Sequence, residues 1–282
     1  MRGFLKGLRC RPLSVGHDAI VGFWIAFSLL WATTEVAAHF LAWPVLSDPG
    51  LLVAIVILSA ANAVRSAWRP TKVVVPLPLG NVSLEVLFGD IFATDGVVAI
   101  PVGEFFDSEI GQPVSPKSLH GILIELRLSG GSKTFDTQIA KRLESLPSDR
   151  IDRPIGKPLR YPIGTTALIE AGSRRYLAFA STHTDPITCK ASSDVAVMME
   201  ALRGLWRQAR IDLNGDTLNV PLVGGYLAGV GLPPQVMVNL IVLSFLDESK
   251  RQVVTEKARI VLTWDKLDKV DLRGVAKLWG GA

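Results

Sequence analysis

Residues 19–34 carry no charge, and the apolar character runs on past Glu35 to about residue 46. One α-helical crossing of a bilayer needs roughly 20 such residues. A second apolar run, residues 50–64, follows at once and ends at Arg65. With Trp68 and Arg69 as interfacial anchors and Arg65 reaching back to the headgroups, about 18 residues are available for a second crossing. Between the runs, Trp43-Pro44-Val45-Leu46-Ser47-Asp48-Pro49-Gly50 forms a tight turn without Lys or Arg. The chain therefore opens as a transmembrane hairpin, with helices expected over about 19–42 and 50–68. A cleaved signal peptide fits poorly, because its apolar region is shorter and is not followed by a second span. Two core helices of a soluble protein are the remaining alternative.

Charge orients the hairpin. Arg2, Lys6, Arg9 and Arg11 precede the first span in a basic segment, residues 1–18, and Arg65, Arg69 and Lys72 follow the second. The positive-inside rule puts both ends in the cytoplasm, so a bacterial plasma membrane would carry the chain as a multi-pass protein with its larger part cytosolic. Up to Pro70 there are six Lys/Arg against three Asp/Glu; beyond it the counts are 24 and 23. The net charge of +4 thus belongs to the membrane flanks, which argues against a nucleic-acid-binding face. Cys10, Cys189 and four scattered histidines match no metal spacing, so no metal is expected.

Inside the spans, Glu35 and His39 are one helical turn apart and share a face with Trp31 and Ser28. Ser59, Asn62 and Ser66 form a second polar stripe. A carboxyl group at membrane depth is costly and normally finds a partner or water. One reading turns both stripes toward other subunits or a water path. The other leaves Glu35 protonated or near the outer headgroups, aiding packing only.

Residues 69–80, with Pro70, Pro76 and Pro78, read as an extended linker, and residues 81–282 as one α/β domain. Strands are expected over 82–87, 97–102, 165–169, 175–180 and 217–221, with a closing edge strand over 259–263. Helices are expected over 132–145, 193–210 and 234–248, with a short one over 272–278. Strands interleaved with helices imply a three-layer α/β/α sandwich. Ligands in such folds sit at the carboxyl ends of strands. Three loops stand out there: Phe88-Gly89-Asp90-Ile91-Phe92; Pro101-Val102-Gly103-Glu104-Phe105-Phe106-Asp107; and Pro221-Leu222-Val223-Gly224-Gly225-Tyr226-Leu227-Ala228-Gly229-Val230-Gly231. Four glycines in eight residues of the third suit amides that close around phosphate oxygens. Gly130-Gly131-Ser132-Lys133-Thr134 lacks the upstream glycine of a P-loop.

Together the three segments resemble the macro domain, over roughly residues 82–263. Gly89-Asp90-Ile91 is similar to its motif at the end of an early strand, which implies that Asp90 bonds an adenine amino group. Residues 98–103 and the following turn resemble loop one, which wraps the distal ribose, and 221–231 resemble loop two, which cradles the diphosphate. More closely, Gly89-Asp90-Ile91-Phe92, Gly103-Glu104-Phe105-Phe106-Asp107 and Ser118-Leu119-His120-Gly121 resemble the divergent macro-like domain joined to two membrane spans in Thoeris antiphage systems. The resemblance implies a mixed-sheet macro-like fold behind the hairpin. It also implies an ADP-ribose-type conjugate, derived from NAD by a partner TIR-domain enzyme, as the ligand, with no further cofactor. A homo-oligomer that damages the cell's own membrane is the implied output.

The residues implied for the ligand are Gly89, Asp90, Ile91, Val102, Gly103, Glu104, Phe105, Phe106, Asp107, His120, Val223, Gly224, Gly225, Tyr226, Leu227, Ala228 and Gly229. Asp90 has turn stabilisation as its structural alternative; Asp107 and His120 have turn and helix capping. Macro hydrolases carry asparagines in loop one where Gly103 and Glu104 stand, so the departure favours a receptor with no catalytic residues. A membrane-anchored ADP-ribosyl hydrolase and a passive scaffold are the competing functions.

Overall fold

A computed structural model describes residues 12–41, 49–76, 82–225 and 229–279. The chain divides into two compact units, Met1–Thr71 with Asp271–Arg273, and Lys72–Val270 with Gly274–Ala282.

In the first unit, α1 (Pro12–Leu41) and α2 (Pro49–Ala67) lie against one another. Both are long and apolar enough to cross a membrane. The turn expected over residues 43–50 lies outside the described residues except for Pro49 and Gly50, and residues 1–11 lie outside them too. Small and polar groups join the two helices: Asn62 Nδ2 donates to the Gly22 carbonyl at 2.8 Å, and a Cβ at Gly22 would stand 2.4 Å from Ser66 Oγ. Glycine allows the backbones to approach, and the amide then satisfies a carbonyl across the gap. Ser59 is buried and bonds its own Ile55 carbonyl at 2.7 Å. This corrects the expectation for the second stripe, since Asn62 and Ser66 serve the hairpin itself. Ser28, Trp31, Glu35 and His39 are exposed, on the side of α1 away from Gly22.

The second unit is built on a sheet in the order β1-β2-β10-β9-β3-β7-β6. Its strands are β1 (Lys72–Pro76), β2 (Ser83–Phe88), β3 (Val97–Gly103), β6 (Thr166–Ala171), β7 (Arg174–Thr184), β9 (Leu218–Pro221) and β10 (Lys257–Leu262). The five central strands run parallel, while β1 and β6 are antiparallel edges. Two-residue strands β4 (Asp149–Arg150) and β5 (Leu159–Arg160) pair separately, and β8 (Ala191–Ser192) pairs with β7. Two expectations are corrected. Residues 72–76, read as linker, form an edge strand, where a terminal proline costs no ladder bond. The segment read as a closing edge strand is β10, inserted between β2 and β9; Ile260, Val261 and Leu262 are all buried, as a strand covered on both faces requires.

Helices cover both faces. Leu123, Ile124, Phe135, Ile139 and Leu143 pack with Val98, Ile100, Ala178 and Ala180 in one core. The helical residues come from a π-helical turn (Leu123–Arg127) that continues α3 (Leu119–Ile122), and from α4 (Gly131–Leu143). Alternate strand residues, Ala99, Leu177 and Phe179, point to the opposite face. There α5 (Val195–Asp212) and α6 (Pro234–Arg251) pack together, with Trp206 edge-on to Phe245 at 5.3 Å and its Nε1 donating to Ser244 Oγ at 2.9 Å. A short α7 (Leu272–Trp279) ends the described chain.

Charged strand residues are matched across the sheet. Glu85 of β2 is 7 % exposed, with Lys72 of β1 at 2.8 Å and Lys257 and Arg259 of β10 at 3.3 and 3.1 Å. Burial alone raises its carboxyl pKa, but the three cations outweigh burial and leave it lowered.

Candidate functional site

The connections locate a crevice. From β3 the chain moves by way of α3 and α4 toward β7 on one side; from β9 it leaves by way of α6 to β10 on the other. Adjacent parallel strands whose connections leave in opposite directions open a gap at their carboxyl ends. Here that gap lies between β3 and β9. Two of the three loops singled out in the sequence leave these two strands, and the third leaves β2.

At the end of β2, Gly89 N–H donates to the Leu262 carbonyl at 2.8 Å. Asp90 is exposed and caps a 3₁₀ turn, its Oδ1 accepting the Phe92 N–H at 2.9 Å. Capping occupies one carboxylate oxygen. Ile91 is buried in the core.

Loop two begins where β9 ends. Val223 is buried, and Gly224 has φ +77°, a left-handed backbone that a side chain resists. A Cβ at Gly224 would also lie 2.4 Å from Val230 Cγ2, and Val230 N–H closes the loop onto the Gly224 carbonyl at 3.2 Å. Gly225 and Gly229 are in the described loop; Tyr226, Leu227 and Ala228, expected to touch ligand, lie outside the described residues.

Loop one is held from behind. Val102 is core. At Gly103 a β-bulge shifts the register against β7, and a Cβ would meet Thr184 Oγ1 at 2.9 Å. Phe105 and Phe106 are 1 % and 0 % exposed, so their rings support the loop from inside instead of facing a ligand. Asp107 accepts from Arg153 Nη1 at 3.0 and 3.1 Å and from the Lys157 N–H at 2.7 Å. Arg153 has a fully buried side chain lying over the Phe105 ring at 4.1 Å, and Lys157 Nζ donates to the Phe106 carbonyl at 2.7 Å. The segment 153–157 thus clamps loop one through Asp107, so that carboxylate is spent on the clamp. His120 is also interior: its ring packs on Phe135 at 5.0 Å, and burial, helped by the charge of Lys157, lowers its pKa to about 3. Ser118, not His120, caps α3, accepting the Gly121 N–H at 3.0 Å.

Glu104 is the loop-one residue that stays at the surface of a cavity while being 5 % exposed. An open pocket of about 370 Å³ is bounded by Glu104, Ser148, Asp149, Arg160, Tyr161 and His183. Burial raises the Tyr161 pKa; the Asp149 carboxylate, 2.9 Å away, raises that of Arg160. The sequence reading missed His183, Arg153 and Lys157. A signal existed for His183, because Thr182-His183-Thr184 is a polar group at the carboxyl end of the apolar strand β7. Arg153 and Lys157 lie in irregular chain and carry no local signal.

Residues 84–263 match the family described as "Thoeris protein ThsA, Macro domain". No curated protein matches. Among solved structures, the Oceanobacillus iheyensis macrodomain with ADP is 11% identical, with 76% of this chain and 100% of that chain covered at a TM-score of 0.52. The same macrodomain with MES bound is 12% identical, with 75% and 100% covered at 0.51. At these identities the likeness is one of fold.

Proposed function

This chain belongs to the macro-domain family of the Thoeris protein ThsA, and on that premise we propose that its α/β unit is a receptor for an ADP-ribose-type nucleotide made from NAD. The observation that carries the reading is the convergence of the Asp90 turn, loop one and loop two at the carboxyl ends of the parallel strands. Asp90 keeps one carboxylate oxygen for an adenine amino group, and the glycines of loop two bring backbone amides to the diphosphate. The reading favours binding over hydrolysis, because Asp107 is committed to Arg153 and Glu104 to β7. Calorimetry of the full chain in nanodiscs with ADP-ribose tests it, with ATP as a comparison. Asp90→Ala is expected to weaken ADP-ribose about tenfold, the loss of one hydrogen bond to a charged group. Gly225→Trp is expected to abolish the heat. Parental affinity in both variants would overturn the assignment.

The hairpin is read as the output. Two apolar helices, placed in the bacterial plasma membrane with both termini cytoplasmic, would gather as copies of the chain assemble on the signal and disrupt the membrane. A TIR-domain enzyme is the proposed source of that signal. A ligand shifts assembly only by binding the assembled state more tightly. Glu35 and His39, on the outward side of α1, would then meet other copies or a water path, as an ionisable group at that depth requires. Ligand-dependent leakage of a dye from liposomes is expected, and Glu35→Leu is expected to cut it severalfold with ADP-ribose affinity unchanged. Leakage that ignores the ligand would refute gating; undiminished leakage in E35L would refute the role of Glu35.

A further inference from the structure

The pairing of Glu104 with His183 is not explained by holding loop one, since Asp107, Arg153 and Lys157 already do that. Both oxygens of Glu104 are spoken for. Oε1 accepts the Thr184 N–H at 3.0 Å, and Oε2 lies 2.9 Å from His183 Nδ1. A carboxylate only accepts, so the proton of this hydrogen bond sits on Nδ1. In the neutral ring the other nitrogen, Nε2, is then a bare acceptor. The His183 side chain is 53 % exposed and lines the 370 Å³ pocket. Among the described residues no three His, Cys, Asp or Glu side chains are grouped to hold a metal ion, so the pair is not part of such a cluster.

Position along the sheet says what this acceptor would meet. The order β2-β10-β9-β3-β7 sets Asp90 first, loop two at the third strand and the Glu104–His183 pair at the fourth and fifth. Strands are spaced about 4.8 Å apart, so the pair stands roughly 5–10 Å beyond loop two, on the side away from Asp90. A nucleotide with adenine at Asp90 and diphosphate at loop two would direct its other end there.

We propose, resting on the nucleotide reading above, that His183 selects a hydrogen-bond-donating terminal group, a hydroxyl or an N–H, on the end of the ligand remote from adenine. Its Nε2 accepts that hydrogen bond, and Glu104 is the positioning residue that fixes its tautomer. The bidentate grip on Oε1 and Oε2 prevents the ring from turning, and a site built to accept from a donor discriminates against ligands without one.

Calorimetry of the full chain with ADP-ribose and with ADP, which lacks the terminal ribose, separates this proposal from the one beneath it. The parent is expected to bind ADP-ribose more tightly than ADP. His183→Ala should lose about tenfold for ADP-ribose and nothing for ADP, as one hydrogen bond is removed. Glu104→Gln keeps the shape and an acceptor for Thr184, but its amide donates to Nδ1 and moves the ring proton to Nε2. The ¹⁵N shifts of the His183 ring in E104Q should report the exchanged tautomer. Equal weakening of both ligands by H183A would overturn the proposal, as would an unchanged ring tautomer in E104Q. Equal affinity of the parent for ADP and ADP-ribose would overturn it while leaving nucleotide binding intact. Binding of neither ligand would remove both readings.

Discussion

Arg153→Met is expected to lower the stability of the α/β unit by about 3–5 kcal/mol, the cost of leaving a buried charge without its partner. The Arg153 side chain is 0 % exposed and that of Asp107 is 8 % exposed. Removing the guanidinium leaves Asp107 with only the Lys157 N–H, and it strips the cation from the Phe105 ring. Methionine fills much of the same volume, so the loss reads charge and not a cavity. Denaturant unfolding followed by tryptophan fluorescence measures it. Asp107→Leu combined with R153M should recover much of the loss, because two apolar groups replace the pair. R153M unfolding with the parent would show that the clamp contributes nothing. The clamp also ties stability to the site, so R153M should weaken ADP-ribose binding even at temperatures where it is fully folded.

Acidification is the second large lever, through His120. Its pKa in the folded chain is about 3, against an ordinary 6.5 when unfolded, because burial excludes the charged ring and the nearby Lys157 opposes it. As pH falls below 6.5 the unfolded chain takes up a proton that the folded chain refuses until about pH 3. The unfolded state binds more protons throughout that window, so stability falls with falling pH. At pH 5 the loss is about 2 kcal/mol, from 1.5 units at about 1.36 kcal/mol each. His120→Leu removes a ring whose Nε2 has no hydrogen-bond partner and abolishes this dependence. It is expected to match or exceed the parent at pH 7.5 and to exceed it clearly at pH 5. Carboxylates with lowered pKa, Glu85 among them, lose stability at more acid pH in both proteins, so the difference isolates His120. Identical pH profiles for parent and H120L would show that the buried ring titrates normally.

Much of the architecture was written in local pattern. The β6–β7 hairpin, α5 and the short strand β9 stand within a residue or two of where alternation and helical spacing put them, apart from the longer end of β7. The glycines of loop two marked a loop between a strand and a helix, which is where the chain has it. Other features had no local sign. Residues 72–76 lie among prolines and read as linker, and only pairing with β2 makes them a strand. His120 looked like a polar candidate near loop one, and nothing in its neighbours indicated that Phe135 would cover it.

The sequence by itself determined the composition of the parts: two long apolar helices, an interleaved α/β unit, and three loops at the carboxyl ends of strands. These follow from short-range periodicity and from the length and composition of the apolar runs. Only the tertiary structure decided what each polar residue does. Asn62 answers Gly22 from 40 residues away, and Arg153 answers Asp107 from 46. Glu104 meets His183 across 79 residues because β3 and β7 lie side by side. A side chain's role is set by its partner, and such partners are chosen by strand order and helix packing, which no window of sequence contains.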